Sequence, residues 1–141
     1  MHEGILDGTG VADYCSGQPN DALEGDCYLT AFSIIGRIRL GQQDDQARAC
    51  SIAPEERRGL CYAVVANAVL EEDRNDATGA VGFCERGAAE YRDECILYLI
   101  RTARFNFGPN KKQYAHFCAA LPEPFKARCT ESSTDSERYG P

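Results

Sequence analysis

The sequence predicts an all-α protein, an α-solenoid of about four helical hairpins of period 34, each stapled by one disulfide bond. Three observations support this prediction. Cysteines recur in evenly spaced pairs, a proline recurs soon after the first cysteine of most pairs, and an apolar stripe with helical spacing follows the second cysteine. A fixed period in the range of roughly 20–50 residues is the signature of a repeat array.

The cysteine spacing defines the repeat. The second cysteines of the four pairs are 34 residues apart each time, and the first cysteines are 35, 34 and 34 residues apart. The extra residue therefore lies between the two cysteines of the first pair, where we assign it to a turn. The eight positions are Cys15, Cys27, Cys50, Cys61, Cys84, Cys95, Cys118 and Cys129.

Each repeat is predicted to hold two helices joined by a short turn. The first helix ends at the first cysteine, because a proline follows four residues later in three of the repeats. Proline disrupts the interior of a helix but suits its first position, so it opens the second helix. These prolines are Pro19, Pro54 and Pro122, and Ala88 takes their place in the third repeat.

The second helix of each repeat carries an apolar stripe at offsets 1, 4, 5 and 8 from its cysteine. Such offsets place the side chains on one side of a helix, where they pack against neighbouring helices. The stripe positions are Tyr28, Ala31, Phe32 and Ile35; Tyr62, Val65, Ala66 and Val69; and Ile96, Leu99, Ile100 and Ala103. We expect one helical-repeat domain over residues 1–131, with repeats at about 4–40, 41–73, 74–108 and 109–131, followed by a flexible tail at 132–141.

Two regular disulfide schemes fit the repeat. Pairing within repeats joins Cys15 to Cys27 and continues in the same way through every repeat. Pairing across repeats joins Cys27 to Cys50 and leaves Cys15 and Cys129 unpaired at opposite ends of the array. We favour pairing within repeats, because it uses every cysteine and because a short turn between antiparallel helices brings the two side chains together. An even number of regularly spaced cysteines is typical of an oxidising compartment.

Composition excludes several functions and indicates a location. The formal net charge of −7 argues against binding nucleic acid or an anionic membrane surface. No apolar run approaches the roughly 20 residues of a membrane-spanning helix. The first ten residues do not resemble a secretory signal. The cysteines nevertheless indicate an extracytoplasmic location, periplasmic or extracellular.

The residue pattern predicts no catalytic site, no metal site and no cofactor. Zinc ligands in close pairs usually have two to four residues between them, and no cysteine or histidine pair has that spacing here. Nucleophilic catalysis needs a serine, cysteine or threonine beside a base, and the only histidines that could act as the base are His2 and His116. The acidic residues Glu71, Glu72, Asp73 and Asp76 have the pattern of a solvated turn.

A basic position recurs three residues before the second cysteine, at Arg58, Arg92 and Lys126. Stacked repeats would align the three side chains in a row that could bind an acidic partner. The simpler interpretation, which we favour, pairs each of them with an acid of its own repeat. Tyr28, Tyr62, Tyr91 and Tyr98 could provide aromatic anchors for a partner, although such positions are more often in the core.

The motif Cys-x3-Pro-x3-Arg-x2-Cys at residues 50–61, with weaker copies at 15–27, 84–95 and 118–129, resembles the cysteine-rich Sel1-like and tetratricopeptide-like repeats of exported bacterial proteins. The resemblance implies an exported α-solenoid that recognises other proteins, and it implies no catalytic residue. The cysteine pairs are also similar to the twin C-x9-C motifs of accessory proteins in the mitochondrial intermembrane space. In that family both cysteines of a motif lie on one continuous helix, which Pro54 and Pro122 would interrupt.

The function expected from these observations is non-enzymatic. We expect a protein–protein interaction module or an accessory subunit of an extracytoplasmic assembly, whose partner is another protein or copies of itself. A self-stacking subunit of an extracellular filament is the first alternative, since head-to-tail contacts that do not close produce filaments. A twin-cysteine accessory subunit of the intermembrane space is the second.

Overall fold

The computed structural model describes residues 11–38, 43–74, 77–107 and 111–130, and these residues form helices and turns without any strand. The prediction of an all-α protein is confirmed for this part of the chain. The predicted tail at 132–141, the start of the first predicted repeat, His2 and Asp76 lie outside the described residues. Seven helices of the described residues are α1 (Val11–Ser16), α2 (Asp21–Ile38), α3 (Gln43–Ser51), α4 (Glu55–Glu72), α5 (Ala77–Cys84), α6 (Ala89–Phe107) and α7 (Lys111–Ala119). Residues 125–130 are also helical and are called α8.

Short and long helices alternate along the described chain, so each predicted pair consists of a short first helix and a longer second one in the first three repeats. The short helices α1, α3, α5 and α7 have 6 to 9 residues, and the long helices α2, α4 and α6 have 18 or 19. Each short helix contains the first cysteine of a pair near its end. Each of the three long helices carries the second cysteine as its seventh residue, in the second helical turn.

The long helices begin in two different ways. Pro54 occupies the N-cap position of α4, so the proline of the second repeat opens its helix as predicted. In the first repeat, α2 begins two residues after Pro19, and the backbone N–H of Leu23 donates to Oδ1 of Asn20 at 3.0 Å. Asn20 therefore caps α2, because its short side chain satisfies an amide that has no partner within the helix. The extra residue of the first repeat thus moves the helix start from the proline to an asparagine cap.

Helix α4 lies at the centre of the packing. It packs against both α2 and α6, and also against the short helices α3 and α5. Each short helix with a long helix on either side packs against both of them. Because α4 has neighbours on several sides, every residue from 61 to 66 is buried, including Ala63 and Val64, which lie outside the predicted stripe. A stripe read from one helix identifies one packed face, and a helix enclosed by others buries more than one.

The core consists of the predicted stripes together with aromatic residues of the short helices. The stripe residues of α2, α4 and α6 are buried, except Val69, which is half-buried against the core. Phe83 of α5 and Phe117 of α7 are fully buried, and the Phe117 ring meets the ring of Phe107 edge-on with centroids 6.1 Å apart. The short helices thus supply large apolar side chains that fill the space between the long ones.

Candidate partner-binding surface

Three disulfide bonds join the second turn of each long helix to the end of the short helix before it, and a fourth joins α7 to α8. They join Cys15 to Cys27, Cys50 to Cys61, Cys84 to Cys95 and Cys118 to Cys129, with Cα atoms 5.4–5.5 Å apart. This is the within-repeat scheme, and the two cysteines of each pair lie on different helices. All eight cysteines are paired, so no thiolate remains to bind a metal ion or to act as a nucleophile.

Successive long helices meet through corresponding residues of successive repeats. Between α2 and α4, the guanidinium of Arg57 lies over the Tyr28 ring, 5.1 Å from its centroid. Between α4 and α6, the Tyr91 ring stacks on the Tyr62 ring with centroids 6.2 Å apart and an angle of 18° between the planes. Arg57 and Tyr91 are one period apart, as are Tyr28 and Tyr62. The same two positions therefore form both interfaces, first as a cation–π contact and then as an aromatic stack.

Polar contacts fix the register of these two interfaces. Arg57 also forms an ion pair with Glu24 of α2, with 3.9 Å between Nη2 and Oε1. On the other side of α4, the hydroxyl of Thr102 donates to Oδ1 of Asn67 at 2.9 Å. Both contacts are partly buried, where a hydrogen bond or ion pair is screened less than at the surface. A slip of one helix past another would break them, so they favour one alignment.

The three predicted basic residues have different surroundings. Nε of Arg58 donates to the backbone carbonyl of Ala53 at 2.7 Å, so this half-buried side chain braces the turn inside its own disulfide loop. Nη2 and Nε of Arg92 donate to Oδ1 of the neighbouring Asp93 at 3.1 and 3.2 Å. Lys126 lies exposed on α8. Pairing with an acid of the same repeat is thus found at Arg92, whereas Arg58 binds a backbone oxygen instead.

The other side chains considered from the sequence are either in the core or dispersed over the surface. Tyr28 and Tyr62 are buried in the core, while Tyr91 and Tyr98 are half-buried and reach the surface. His116 is exposed on α7. Glu71, Glu72 and Asp73 are exposed at the end of α4. Among the described residues, no three His, Cys, Asp or Glu side chains converge in a way that could hold a metal ion.

The perturbed pKa values have structural causes. An ion pair of 2.6 Å between Arg86 Nη1 and Asp44 Oδ1 lowers the pKa of the exposed Asp44 carboxyl. Burial raises the pKa of the Tyr62 phenol, and it raises that of Tyr114 to about 12. The Tyr114 hydroxyl also donates to the carbonyl of Cys129 at 3.2 Å, which joins α7 to α8. These groups connect helices of the fold and do not converge on one cleft.

Two surface features were missed by the sequence reasoning. The first is an open groove of about 310 Å³ between α1 and α2, whose lining includes Val11, Tyr14, Leu23, Asp26, Thr30 and Ile34. The second is Phe105 on α6, which is 89% exposed and is the most exposed large apolar side chain in the described residues. The position of Phe105 outside the apolar stripe of α6 is a sequence signal that could have identified it. The groove has no comparable signal, because two helices form it together.

Two findings bear on the class of protein. Among the helices of the described residues, none combines the length and apolar character needed to cross a membrane. Comparison of the chain with protein-family models, with curated proteins and with solved structures finds no significant match in any of the three.

Proposed function

We propose that this chain is a non-enzymatic binding protein, an accessory subunit of an extracytoplasmic assembly that presents stacked helical hairpins to another protein. The observation that supports this most is that the same two repeat positions are in contact at two successive interfaces, Arg57 on Tyr28 and Tyr91 on Tyr62. Repeat arrays are built from such nearest-neighbour contacts, and they offer extended surfaces for recognition of proteins.

The architecture that we propose is an α-solenoid of about four hairpins with a period of 34 residues, within one domain over residues 1–131. The alternation of short and long helices and the four within-repeat disulfides support it. We also propose that the repeats belong with the cysteine-rich Sel1-like and tetratricopeptide-like repeats. The position of each cysteine pair at the junction of two helices supports that relationship better than one with proteins whose paired cysteines lie on one continuous helix.

An oxidising compartment is proposed from the disulfides. Seven of the eight disulfide-bonded cysteines are buried, so the bonds are part of the core. Small domains that rely on several disulfides occur mainly in secreted and periplasmic proteins, because the cytosol keeps thiols reduced. We therefore place the protein outside the cytoplasm, in the periplasm or the extracellular space.

The basic residues Arg92 and Lys126 are the proposed contacts to an acidic partner. Arg92 contacts only one carboxylate oxygen of Asp93, and the arginine side chain remains 39% exposed. Lys126 is exposed on the next hairpin. Arg58 belongs to the same predicted row, but its hydrogen bond to Ala53 makes it a poor site for mutation, since its loss would disturb the turn.

Native mass spectrometry of the protein isolated from its source without reductant tests this proposal. We expect a complex with a different protein, in which this chain has a mass lower by eight hydrogens than that of the reduced chain. The combined variant Arg92→Glu and Lys126→Glu should then weaken the complex at least about tenfold, since charge reversal at an interface costs several kcal/mol. The matched control is Arg48→Glu on α3, where the arginine side chain is 73% exposed. A chain that is never found with a different protein would contradict the accessory role, and an unchanged affinity would exclude the basic face.

A further inference from the structure

Phe105 is a large apolar side chain that its own chain leaves uncovered. It lies near the end of α6 with 89% of its surface exposed, although removing a phenylalanine side chain from water lowers the free energy. Leu97 and Arg101 precede it by two turns and one turn on the same side of the helix, and both are exposed. Aromatic and arginine side chains are enriched where interfaces concentrate their binding energy.

The groove between α1 and α2 is open and has an apolar lining, which suits an exposed aromatic side chain. Its volume is about 310 Å³, and its apolar lining includes Tyr14 and Leu23, which are 51% and 45% exposed. Asp26 is the one acidic residue among the groove lining. In the next repeat, Arg57 corresponds to Leu23 and packs on α2. Val64 corresponds to Thr30 and is buried. The corresponding face of the second repeat is therefore covered by a neighbouring long helix.

The charges around the two features are complementary. Residues 11–36, which include the groove lining, contain four acids and no lysine or arginine, and one of the four, Glu24, is paired with Arg57 of α4. Residues 95–122, which contain Phe105, include four lysines and arginines and no acid. The contrast is sharp in a chain whose net charge is −7, and opposite potentials steer two surfaces together. The groove of one molecule thus offers an apolar lining to Phe105 of an identical molecule, and the charges near the two features are opposite in sign.

We propose that copies of this chain associate head to tail, with Phe105 of one copy inserted into the groove between α1 and α2 of the next. The contact is between copies, because α4 packs between α2 and α6 and Phe105 is exposed within its own chain. The two surfaces are different, so each copy in a pair still has one groove or one Phe105 unused. Such a contact extends into a filament or closes into a ring. This inference does not depend on the accessory role, since only this chain takes part.

Sedimentation velocity of the oxidised full chain tests the association. One aromatic anchor in an open groove makes a small interface, and interfaces below roughly 1,200 Å² are weak, so concentrations from about 10 µM to 1 mM are needed. We expect the average mass to rise with concentration and to fall at high salt. Phe105→Ala should weaken association at least about tenfold. Ile52→Ala is the matched control, because Ile52 is an apolar side chain that is 45% exposed in the turn before α4, and this variant should associate like the unmodified chain.

A mixing experiment tests which surfaces meet. Thr30→Trp fills the groove from an exposed position on α2, and circular dichroism together with the count of four disulfides shows whether the variant is folded. Phe105→Ala alone and Thr30→Trp alone should each associate at least about tenfold more weakly than the unmodified chain. Mixed in equal amounts, they should form a dimer and nothing larger, because one supplies the intact groove and the other supplies Phe105. Asp26→Lys should weaken the association of otherwise unmodified copies, and Arg101→Glu should do the same.

Three results would overturn the proposal. The first is an unmodified chain that remains monomeric at about 1 mM. The second is association that Phe105→Ala leaves unchanged, or a mixture of the two variants that remains monomeric although each variant is folded. The third is association that appears only after residues 1–9 are deleted, which would assign the groove to the beginning of the same chain.

Discussion

A glycine at the contact between α2 and α4 allows the closeness of these helices to be tested. A Cβ atom added at Gly36 would lie 3.0 Å from Cβ of Ala68 and 3.4 Å from Cα of Val65. Carbon atoms attract each other best at about 3.5–4.0 Å. Both obstructing atoms belong to the backbone or are attached directly to it, so neither can rotate away. The substitution Gly36→Ala therefore forces the two helices apart.

Two opposing effects set the size of the change. Alanine in place of a helical glycine stabilises the folded state by about 0.5–1 kcal/mol. Overpacking a well-filled contact costs about 1–3 kcal/mol. The carbonyl of Gly36 also accepts a hydrogen bond from Nε2 of the buried Gln46 at 3.2 Å, which ties the site to α3 and limits its movement. We expect Gly36→Ala to lower the free energy of unfolding by about 1–2 kcal/mol.

Urea unfolding of the oxidised protein measures this change, and Gly82→Ala is the matched control. Gly82 lies within α5, and an added Cβ there meets nothing within 4 Å. The control should therefore raise the free energy of unfolding by about 0.5–1 kcal/mol, so the two variants should shift the midpoint in opposite directions. If Gly36→Ala raised the free energy of unfolding as much as Gly82→Ala does, the close approach of α2 and α4 would be refuted.

Three further predictions concern the disulfides, a buried phenol and the repeated interface contact. Replacing Cys50 and Cys61 together by alanine should lower the free energy of unfolding by about 3 kcal/mol, the chain-entropy value for a loop of this length, and a loss below about 1 kcal/mol in urea would contradict a structural role for the bond. The Tyr114 phenol has a folded pKa of about 12 against a reference value of 10.0, so the stability from its burial is complete below pH 10 and is lost as the pH rises through 12. Unfolding measured at several alkaline pH values should show a smaller fall for Tyr114→Phe than for the unmodified chain. Arg57→Tyr copies the stack of Tyr91 on Tyr62, and its free energy of unfolding, measured by thermal unfolding, should stay within about 1 kcal/mol of that of the unmodified chain. Arg57→Glu should lower the free energy of unfolding by at least about 1 kcal/mol, because it places a carboxylate beside Glu24. Equal losses for both variants would show that the stack does not transfer between repeats.

Much of the fold follows from local patterns. The apolar offsets identify the buried residues Tyr28, Phe32 and Ile35 of α2 and their counterparts in α4 and α6, because a helix sets the direction of each side chain from its position along the chain. The burial of Ala63 and Val64 does not follow in this way, since it depends on how many helices surround α4. The asparagine cap of α2 is a similar case, because Pro19 and Asn20 can both precede a helix and the sequence pattern does not decide between them.

The candidate surfaces are less accessible to sequence reasoning. The repeat identifies Arg58, Arg92 and Lys126 as corresponding positions, but their surroundings differ because the nearest acceptor is a carbonyl for Arg58 and a carboxylate for Arg92. The groove is formed by residues of two helices, and no spacing within one helix predicts its volume. Phe105 differs from these, since its place outside the apolar stripe of α6 was visible in the sequence.

The sequence by itself determined the all-α class and the two helices of each repeat, and it favoured the within-repeat disulfide bonds over the one regular alternative. These features depend on spacing along the chain: proline opens or interrupts a helix, and cysteines on either side of a short turn are close in space. Only the tertiary structure decided that Arg57 lies on Tyr28 while Tyr91 lies on Tyr62, and that a groove opens between α1 and α2 while Phe105 stays exposed. Those features depend on the distance and register between helices, which are set by how side chains from different parts of the chain fill the same space.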